Sequence, residues 1–423
     1  MSLHDDAAKA RTGRDDWNAT ILAGLANYID SGSIVSGAAA LALWTSLYGL
    51  SDSLLGLIAA FGPNAIGAGI GALVGGWLCD RFGRKRIYQY DMLLYAAGMT
   101  ILVFAVAPWM IVLGFVIVGL AVGADIPASW SLIAEEAPAD TRGKHSGVAQ
   151  ILWNLGPVVV LLMSLALAGL GELGARLVFA HLVIVALGLT FLRRKMHESR
   201  PWTETQSADF VAPPISSLFR RPYLVSILAL VGIYGFWNLW AGTNGLFFPY
   251  LMETLGVATR AQSIALQCLN FALGMLANYL VFMKLVDRVS HRAMFLISAI
   301  AQVVGMSLLA LLPLNVPVVL AHVVILGFFQ GFGAQSFFQL WSAEMFPTAL
   351  RSTAQGLCFA IVRIGLGLFS LFVPFLASAD FAVLAWILTG FLALSALVGW
   401  LWAPDNAGKS LEQIEREQRV GLR

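Results

Sequence analysis

The sequence contains little charge. Asp, Glu, Lys and Arg make up only 12% of its 423 residues, about half the share in soluble proteins, whereas 59% of the residues are hydrophobic. These figures exclude an ordinary soluble domain, and they exclude a disordered chain because disordered chains are polar and highly charged. A net charge of +2, with the basic residues scattered, does not indicate a nucleic-acid partner.

Cysteine is also scarce. Cys79, Cys268 and Cys358 lie far apart inside apolar stretches, so they form neither a metal-binding spacing nor a disulfide framework. The chain shows no nucleophile–base pair, no metal cluster and no phosphate-binding loop. We therefore predict no cofactor, no metal and no enzymatic activity.

Long apolar runs dominate what is present. A bilayer core about 30 Å thick requires about 20 apolar residues per helix. The sequence predicts an all-α membrane protein with twelve transmembrane helices, here called spans one to twelve, at 18–46, 54–79, 88–107, 109–134, 145–170, 175–192, 222–252, 261–285, 293–313, 317–342, 352–377 and 381–403.

The basic residues predict the orientation of these spans. Most Lys and Arg lie before span one, in the loops after the even-numbered spans and in the tail, whereas the opposite loops contain only Arg176 and Arg260. Positive residues favour the cytoplasmic side, so both termini are expected in the cytoplasm and the protein in the cell membrane. An even number of spans requires the termini to share one side, and the first run is too long for the apolar core of a signal peptide.

A polar stretch at 193–221 separates two halves of six spans each. Its prolines disfavour a continuous helix, so it is predicted to be a cytoplasmic linker. The predicted organisation is a cytoplasmic arm (1–17), an amino-terminal six-helix bundle (18–192), the linker (193–221), a carboxy-terminal six-helix bundle (222–403) and a cytoplasmic tail (404–423).

The two halves carry the same charged landmarks. Asp80, Glu135 and Arg142 in the first half correspond to Asp287, Glu344 and Arg351 in the second, at offsets of 207 to 209 residues. Parallel six-span repeats are typical of transporters in which two bundles rock around a central site. We expect the two bundles to be related by pseudo-twofold symmetry.

A family resemblance rests on these landmarks. The stretch Gly76-x-x-x-Asp80-Arg81-x-Gly83-Arg84-Lys85 resembles the loop-2–3 motif of the major facilitator superfamily. Three further stretches resemble its sugar-porter and metabolite:proton-symporter branches: 30–37 in span one, 135–143 after span four and 404–412 in the tail. The resemblance implies a transporter that works by alternating access.

Paired acids and bases at neighbouring helix ends predict a cytoplasmic gate. We expect Asp80 to pair with Arg142 and Glu135 with Arg84, and the second half to repeat this arrangement. The alternative is that these residues only anchor the topology as solvated loop charges. The predicted gate residues are Gly76, Asp80, Arg81, Gly83, Arg84, Glu135, Arg142, Asp287, Arg288, Glu344 and Arg351.

Three ionisable residues, Asp30, Asp125 and Arg363, fall near mid-membrane depth, where such groups are costly and usually functional. Asp30 is predicted to carry the coupled proton, with a capped structural carboxylate as the alternative. Asp125, in a Gly-x-Asp-x-Pro stretch, is a second candidate proton site, a substrate ligand, or part of a helix kink at Pro127. Asp91 and Lys284 lie nearer helix ends and are interpreted as interfacial anchors.

Arg363 in span eleven requires an anionic partner because guanidinium stays charged. That partner is either Asp30 or Asp125, or an anionic group of the substrate held bidentately. The surrounding segment resembles span eleven of organic-anion transporters, and this resemblance implies contact with substrate.

Amide and indole side chains supply the remaining candidates for substrate binding. Amides both donate and accept hydrogen bonds, as hydroxyl-rich solutes require, although helix–helix hydrogen bonding is the alternative role. Together with Arg363, the residues predicted to bind substrate are Gln150, Asn154, Trp237, Asn238, Trp240, Asn244, Gln335 and Gln339. Trp237 and Asn238 stand where sugar porters carry paired glutamines, which argues against an ordinary hexose porter.

We therefore predict a monomeric, proton-coupled symporter that imports a small polar metabolite such as a sugar, a sugar acid or another organic anion. Its partners are the substrate, protons and the lipid bilayer. The alternatives are a drug or metabolite:proton antiporter and a non-transporting nutrient sensor, for which the tail of about 20 residues is short.

Overall fold

The computed structural model describes residues 13–138, 140–194, 198–204, 206, 213–407 and 409–420. Every regular element in these ranges is helical. In the first half the long helices are Gly13–Tyr48, Ile66–Phe82, Arg84–Val103, Pro108–Glu136, Arg142–Ala166 and Glu172–Arg193, and the helix Asp52–Ala60 precedes the second of them.

The second half repeats this order. Its helices are Tyr223–Thr254, Arg260–Ala277 continuing through Asn278–Phe282 and Met283–Leu285, His291–Leu311, Val316–Gln330 with Ala334–Glu344, Arg351–Ser370 with Val373–Ala379, and Phe381–Trp402. Short helices at Ala168–Leu170, Arg200–Glu204, Ile215–Phe219, Thr348–Leu350 and Leu411–Val420 lie in the connections and the tail.

The twelve-span architecture is confirmed. Nine of the described helices are long and apolar enough to cross a membrane by length and composition alone, and they correspond to spans four to twelve. The helices of spans one to three do not meet this test of length and composition, for local reasons. Span one carries many polar residues, span two is divided in the middle, and span three begins with a basic run.

Several spans are interrupted at depth, which is tolerated in a membrane only where protein or a cavity surrounds the backbone. Span two breaks between Ala60 and Ile66, at Gly62-Pro63-Asn64, and span ten breaks at Gly331–Gly333. The side chain of Asn278, in the π-helical turn of span eight, donates to the carbonyl oxygen of Gly331 at 2.9 Å. This bond satisfies one backbone group that the break in span ten releases.

The halves meet along pseudo-symmetric pairs of helices. Span two packs on span eleven and span five on span eight, while span one contacts span seven and span four contacts span ten. We call the end of the molecule that carries the linker the linker side, and the other end the outer side. At Gly76 an added Cβ would lie 2.3 Å from the backbone oxygen of Ser352, so glycine permits the close approach of spans two and eleven.

Parts of the predicted organisation lie outside the described residues. These are 1–12 of the arm, 195–197, 205 and 207–212 of the linker, and 408 and 421–423 of the tail. The domain boundaries therefore stay predictions. Arg193, predicted as the first linker residue, is the last residue of the helix of span six and is fully buried.

Candidate functional site

Ion pairs on the linker side cross between the two halves. The Arg351 guanidinium lies 2.7 Å from a carboxylate oxygen of Glu135, and that of Arg142 lies 3.5 Å from Glu344. The predicted pair of Asp80 with Arg142 is therefore wrong. Each arginine of the repeat pairs with the glutamate of the opposite half, so the contacts hold the two bundles together rather than each bundle by itself.

Asp80 has another role. Its carboxylate accepts hydrogen bonds from the backbone N–H groups of Ser352 (3.3 Å) and Thr353 (2.7 Å), in the first turn of span eleven. Asp287 repeats this arrangement, because it accepts from the N–H of Gly143 at 2.9 Å in the first turn of span five. A carboxylate is favoured there by unpaired N–H groups and the positive end of the helix. Burial raises the pKa of Asp287 above its ordinary value of 3.8, against the effect of these hydrogen bonds.

The predicted pair of Arg84 with Glu135 is confirmed at 2.9 Å, and Arg84 also lies 3.2 Å from Asp80. Glu135 thus sits between two guanidinium groups, one from each half. Arg81 and Arg288, by contrast, are exposed. The Arg81 guanidinium stacks on Trp77 at 5.3 Å, and the roles of Arg81 and Arg288 in the gate stay predictions.

The start of the linker completes this gate, and sequence reasoning missed it. The Glu198 carboxylate accepts from the N–H groups of Arg84 (2.9 Å) and Lys85 (3.1 Å) at the start of span three. Gly83 allows this approach, with φ of +97° and an ideal Cβ position only 2.2 Å from that carboxylate. The Ser199 hydroxyl donates to Glu135. The only signal in the sequence was an acid within a basic loop.

A small cavity lies between the bundles at mid-membrane depth. Six of the predicted binding residues line it: Trp237, Asn238, Trp240, Asn244, Gln335 and Arg363. Its volume is about 20 Å³, enough for a water molecule or two but not for a sugar. Since the gate on the linker side is also closed, the bundles must move apart to admit a metabolite.

Arg363 is the charged group of this cavity. Its guanidinium donates to the side-chain oxygen of Asn238 at 3.1 Å and to the Tyr234 hydroxyl at 3.0 Å, and it stacks on Phe359 at 4.2 Å. Among the described residues no carboxylate lies within ion-pair distance of it, and its Nε has no hydrogen-bond partner. The internal salt bridge with Asp30 or Asp125, which was one of the two alternatives for Arg363, is therefore not formed among the described residues in this conformation.

Asp30 is buried beside the cavity, one residue before Ser31, which lines it. Its carboxylate lies close enough to the Trp153 indole and to Arg363 to interact with both. One carboxylate oxygen has no hydrogen-bond partner among the described residues. The Ser33 hydroxyl donates to the backbone oxygen of Asp30 and not to its carboxylate, so Ser33 does not provide the cap that the structural alternative allowed from either Ser33 or the backbone.

Three predicted binding residues lie outside the cavity lining. Gln150 of span five donates to Gln339 of span ten across the interface between the halves. Asn154 donates to the backbone oxygen of Gln150 at 2.9 Å, one turn earlier in the same helix, so this bond does not join two helices. The Nε2 of Gln339 has no partner among the described residues.

Asp125 does not line the cavity. Its carboxylate lies 2.7 Å from the Arg193 guanidinium and is buried among spans three, four and six. It is therefore not placed to bind substrate, and its proton-coupling role stays a prediction. The interpretation of Asp91 as an interfacial anchor is wrong, because Asp91 is buried 3.7 Å from the same guanidinium. Lys284 is exposed and lies over Tyr279 at 5.3 Å, as expected of an anchor.

Sequence reasoning missed Asn64, Trp153 and Tyr234 at the centre. Asn64 lies in the break of span two, lines the cavity, and accepts from Arg363 through its backbone oxygen at 3.5 Å. Gly62-Pro63 was the available signal, because interrupted spans mark binding sites in transporters. Tyr234 is indistinguishable in sequence from the other aromatic residues of span seven.

Comparisons with known proteins agree with this architecture. The "Major Facilitator Superfamily" model matches residues 19–266, and the "Sugar (and other) transporter" model matches residues 203–417. The "Minor myo-inositol transporter IolF" of Bacillus subtilis (strain 168) is 43% identical over 408 residues, covering 94% of this chain and 93% of that protein. The "Probable 4-methylmuconolactone transporter" of Cupriavidus pinatubonensis (strain JMP 134 / LMG 1197) is 28% identical and covers 81% of each chain.

The fold has close counterparts among solved structures. The proton:xylose symporter XylE bound to 6-bromo-6-deoxy-D-glucose superposes with a TM-score of 0.80 at 20% identity, covering 95% of this chain and 99% of XylE. The inward-open conformation of XylE from E. coli gives a TM-score of 0.70 at 21% identity. This likeness establishes the fold. With both family models matching and the repeat present in three dimensions, the chain belongs to the major facilitator superfamily, as a multi-pass membrane protein whose fold and relatives are those of transporters and not of enzymes.

Proposed function

We propose that this chain is a proton-coupled symporter that imports a small polyhydroxylated metabolite by alternating access. The observation that carries the proposal is the placement of Asp30. This carboxylate is buried, keeps one oxygen without a partner, and lies beside a cavity between two bundles that the gate holds together. A carboxylate in such a position is costly when charged, so its protonation favours reorientation of the bundles.

The linker side is proposed to face the cytoplasm, because Lys and Arg concentrate there. In this conformation the Glu135–Arg351 and Glu344–Arg142 pairs close that side. Binding of substrate and proton from the outer side would neutralise Asp30. The ion pairs would then separate and the cavity would open toward the cytoplasm.

The cavity lining favours a solute rich in hydroxyl groups. Asn238, Asn244 and Gln335 offer both donors and acceptors, and the rings of Trp237 and Trp240 offer flat apolar faces. The Trp237 indole N–H donates to Gln302 at 2.8 Å, so that ring contributes its face rather than its donor. A relative that shares 43% of its sequence is named for myo-inositol, which matches this chemistry.

Arg363 supports a second candidate, a sugar acid or another organic anion. Its contacts among the described residues are neutral, and its Nε is free to donate. A substrate carboxylate would supply the missing counter-charge in bidentate geometry. A neutral polyol would instead use the guanidinium as a donor and rely on Asp30 to balance its charge.

Uptake into proteoliposomes tests both parts. An inward proton gradient should drive accumulation of labelled myo-inositol, and Asp30→Asn should abolish accumulation while counterflow exchange continues. Accumulation that survives collapse of the gradient, or export driven by the inward gradient, would contradict symport. Competition by unlabelled glucuronate and muconate identifies the substrate class. Failure of both to compete supports the polyol, whereas competition by either one that Arg363→Lys weakens at least tenfold supports the anion.

A further inference from the structure

A second cluster of ionisable groups lies buried in the first bundle, away from the cavity. Asp91 of span three, Asp125 of span four and Arg193 of span six meet there, with side chains at most 3% exposed. The Arg193 Nη1 lies 2.7 Å from Asp125 and 3.7 Å from Asp91. The Tyr88 ring covers the guanidinium at 4.1 Å.

The charges of this cluster do not balance. One guanidinium neutralises one carboxylate, so two ionised carboxylates would leave a bare negative charge in a low-dielectric interior, which is strongly unfavourable. Both carboxyl groups approach the same atom, Nη1 of Arg193, so they are close neighbours that repel each other when both are ionised. The cluster is neutral when it holds one proton.

The geometry indicates which acid holds it. Asp125 makes the short ion pair and is therefore the ionised member. Asp91 is further from Arg193, and its second carboxyl oxygen has no partner among the described residues. Arg193 also keeps Nε and Nη2 without partners there, so the cluster contains buried polar atoms that remain available to another group.

The cluster lies between the central site and the gate. Asp125 is 11 residues before the end of span four, and Asp91 is seven residues after the start of span three, so they lie about 16 Å and 10 Å from the linker side. Asp125 and Asp30 are both buried inside the first bundle. Cys79 of span two is buried, and its backbone oxygen accepts a hydrogen bond from the gate residue Arg84 at 3.4 Å.

We propose that Asp91 and Asp125 share one exchangeable proton and relay the coupled proton from Asp30 to the linker side. When the gate opens, the pair releases its proton to that side, and the net charge of the cluster formed with Arg193 becomes −1. The pair then accepts the proton that leaves Asp30, which restores the neutrality of the cluster. The charged and titratable groups facing the pair are Arg193, Tyr88, Cys79 and, through space, Asp30. This relay rests on the proposed proton-coupled transport.

Infrared difference spectra of the reconstituted full chain test the shared proton directly. In an Asp30→Asn background, where Asp30 cannot contribute, we expect a protonated-carboxyl C=O band that titrates with pH and disappears in Asp30→Asn/Asp91→Asn. Absence of the band, or a band that does not change with pH, would overturn the relay. This measurement does not require transport, so it remains decisive even if the wild type shows no gradient-driven uptake.

Transport assays test the use of that proton. Asp91→Asn keeps the cluster neutral but removes its exchangeable proton, so gradient-driven accumulation should fall about tenfold while counterflow exchange persists, and Asp91→Glu should restore accumulation. If Asp91→Asn fails to fold, Asp125→Asn leaves Asp91 to pair with Arg193 and gives the same test. Asp140→Asn, at an exposed loop position, is the control. Wild-type accumulation in Asp91→Asn would overturn the relay.

Discussion

The two copies of the gate are built from corresponding residues but are not equally strong. In the first copy Glu135 lies between two guanidinium groups, at 2.9 Å from Arg84 and 2.7 Å from Arg351. In the second copy, within the described ranges, Glu344 pairs with the guanidinium of Arg142 alone, at 3.5 Å, and accepts from the Asn406 amide at 3.2 Å.

The two copies of the gate differ because of one position of the repeat. His291 stands where the repeat places Arg84, and its ring bonds the backbone oxygen of Val286 at 2.9 Å and accepts from the Trp341 indole at 3.2 Å. It therefore contributes to packing rather than to the gate. Linker residues Glu198 and Ser199 further reinforce the first copy. The difference implies that the first copy determines how long the linker side stays closed.

Removal of the Glu135 charge should give the largest effect. Glu135→Gln removes the carboxylate that Arg351 pairs with among the described residues and leaves Arg84 with Asp80 alone, and breaking a buried pair costs about 3–5 kcal/mol. Spin labels at the exposed positions of Arg81→Cys and Arg288→Cys should report a longer distance across the linker side, and a smaller change in Glu344→Gln.

The control is Glu172→Gln, which breaks the more exposed pair with Arg176 on the outer side. That change should leave the distance unaltered, because exposed pairs contribute about 0–1 kcal/mol. Equal opening in Glu135→Gln and Glu344→Gln would show that the two copies are equivalent.

Charge exchange should separate the observed pairing from the predicted one. Arg142→Glu with Glu344→Arg should recover much of the transport that either single change loses, because contacting residues couple by about 0.5–3 kcal/mol. Asp80→Arg with Arg142→Asp should recover nothing. Rescue by the second combination alone would favour pairing within one half.

The spans, the repeat and the repeated Asp, Glu and Arg residues of the gate were predictable because hydropathy and positional offsets record them directly. The pairing of each glutamate with the arginine of the opposite half could not be predicted. An internal repeat shows that two copies exist, but it does not show whether the partners of Glu135 and Glu344 lie in the same copy. The cavity residues of span seven were predictable from their chemistry.

The ion pair of Asp125 with Arg193 was not predictable in the same way. Arg193 ends a span beside other basic residues, where interfacial anchoring is the ordinary expectation, and only the packing of spans three, four and six reveals its depth. Asn64 escaped notice because it lies in a break that reads as part of an apolar run.

Glycine substitutions compare the two helix pairs that carry the two copies of the gate, spans two and eleven and spans five and eight. An added Cβ at Gly76 meets the Ser352 backbone oxygen at 2.3 Å, whereas one at Gly147 meets the flexible side chain of Met283 at 2.4 Å. Gly76→Ala should cost about 1–3 kcal/mol through overpacking, and Gly147→Ala less, because methionine can move. Thermal unfolding in detergent measures both, and equal losses would contradict a rigid contact between spans two and eleven.

The smallest expected effect concerns pH and the weaker copy. Burial raises the pKa of Asp287 above its ordinary 3.8, so the folded protein binds the proton more tightly than the unfolded chain does. This stabilisation is fully present below the unfolded pKa and is lost as pH rises through the higher folded pKa. Asp287→Asn should therefore flatten the dependence of the unfolding midpoint on pH above the ordinary pKa of 3.8. An unchanged pH profile in Asp287→Asn would mean that the Gly143 contact compensates fully for burial. The second copy would then stabilise the carboxylate of Asp287 to the same extent as the first copy stabilises that of Asp80.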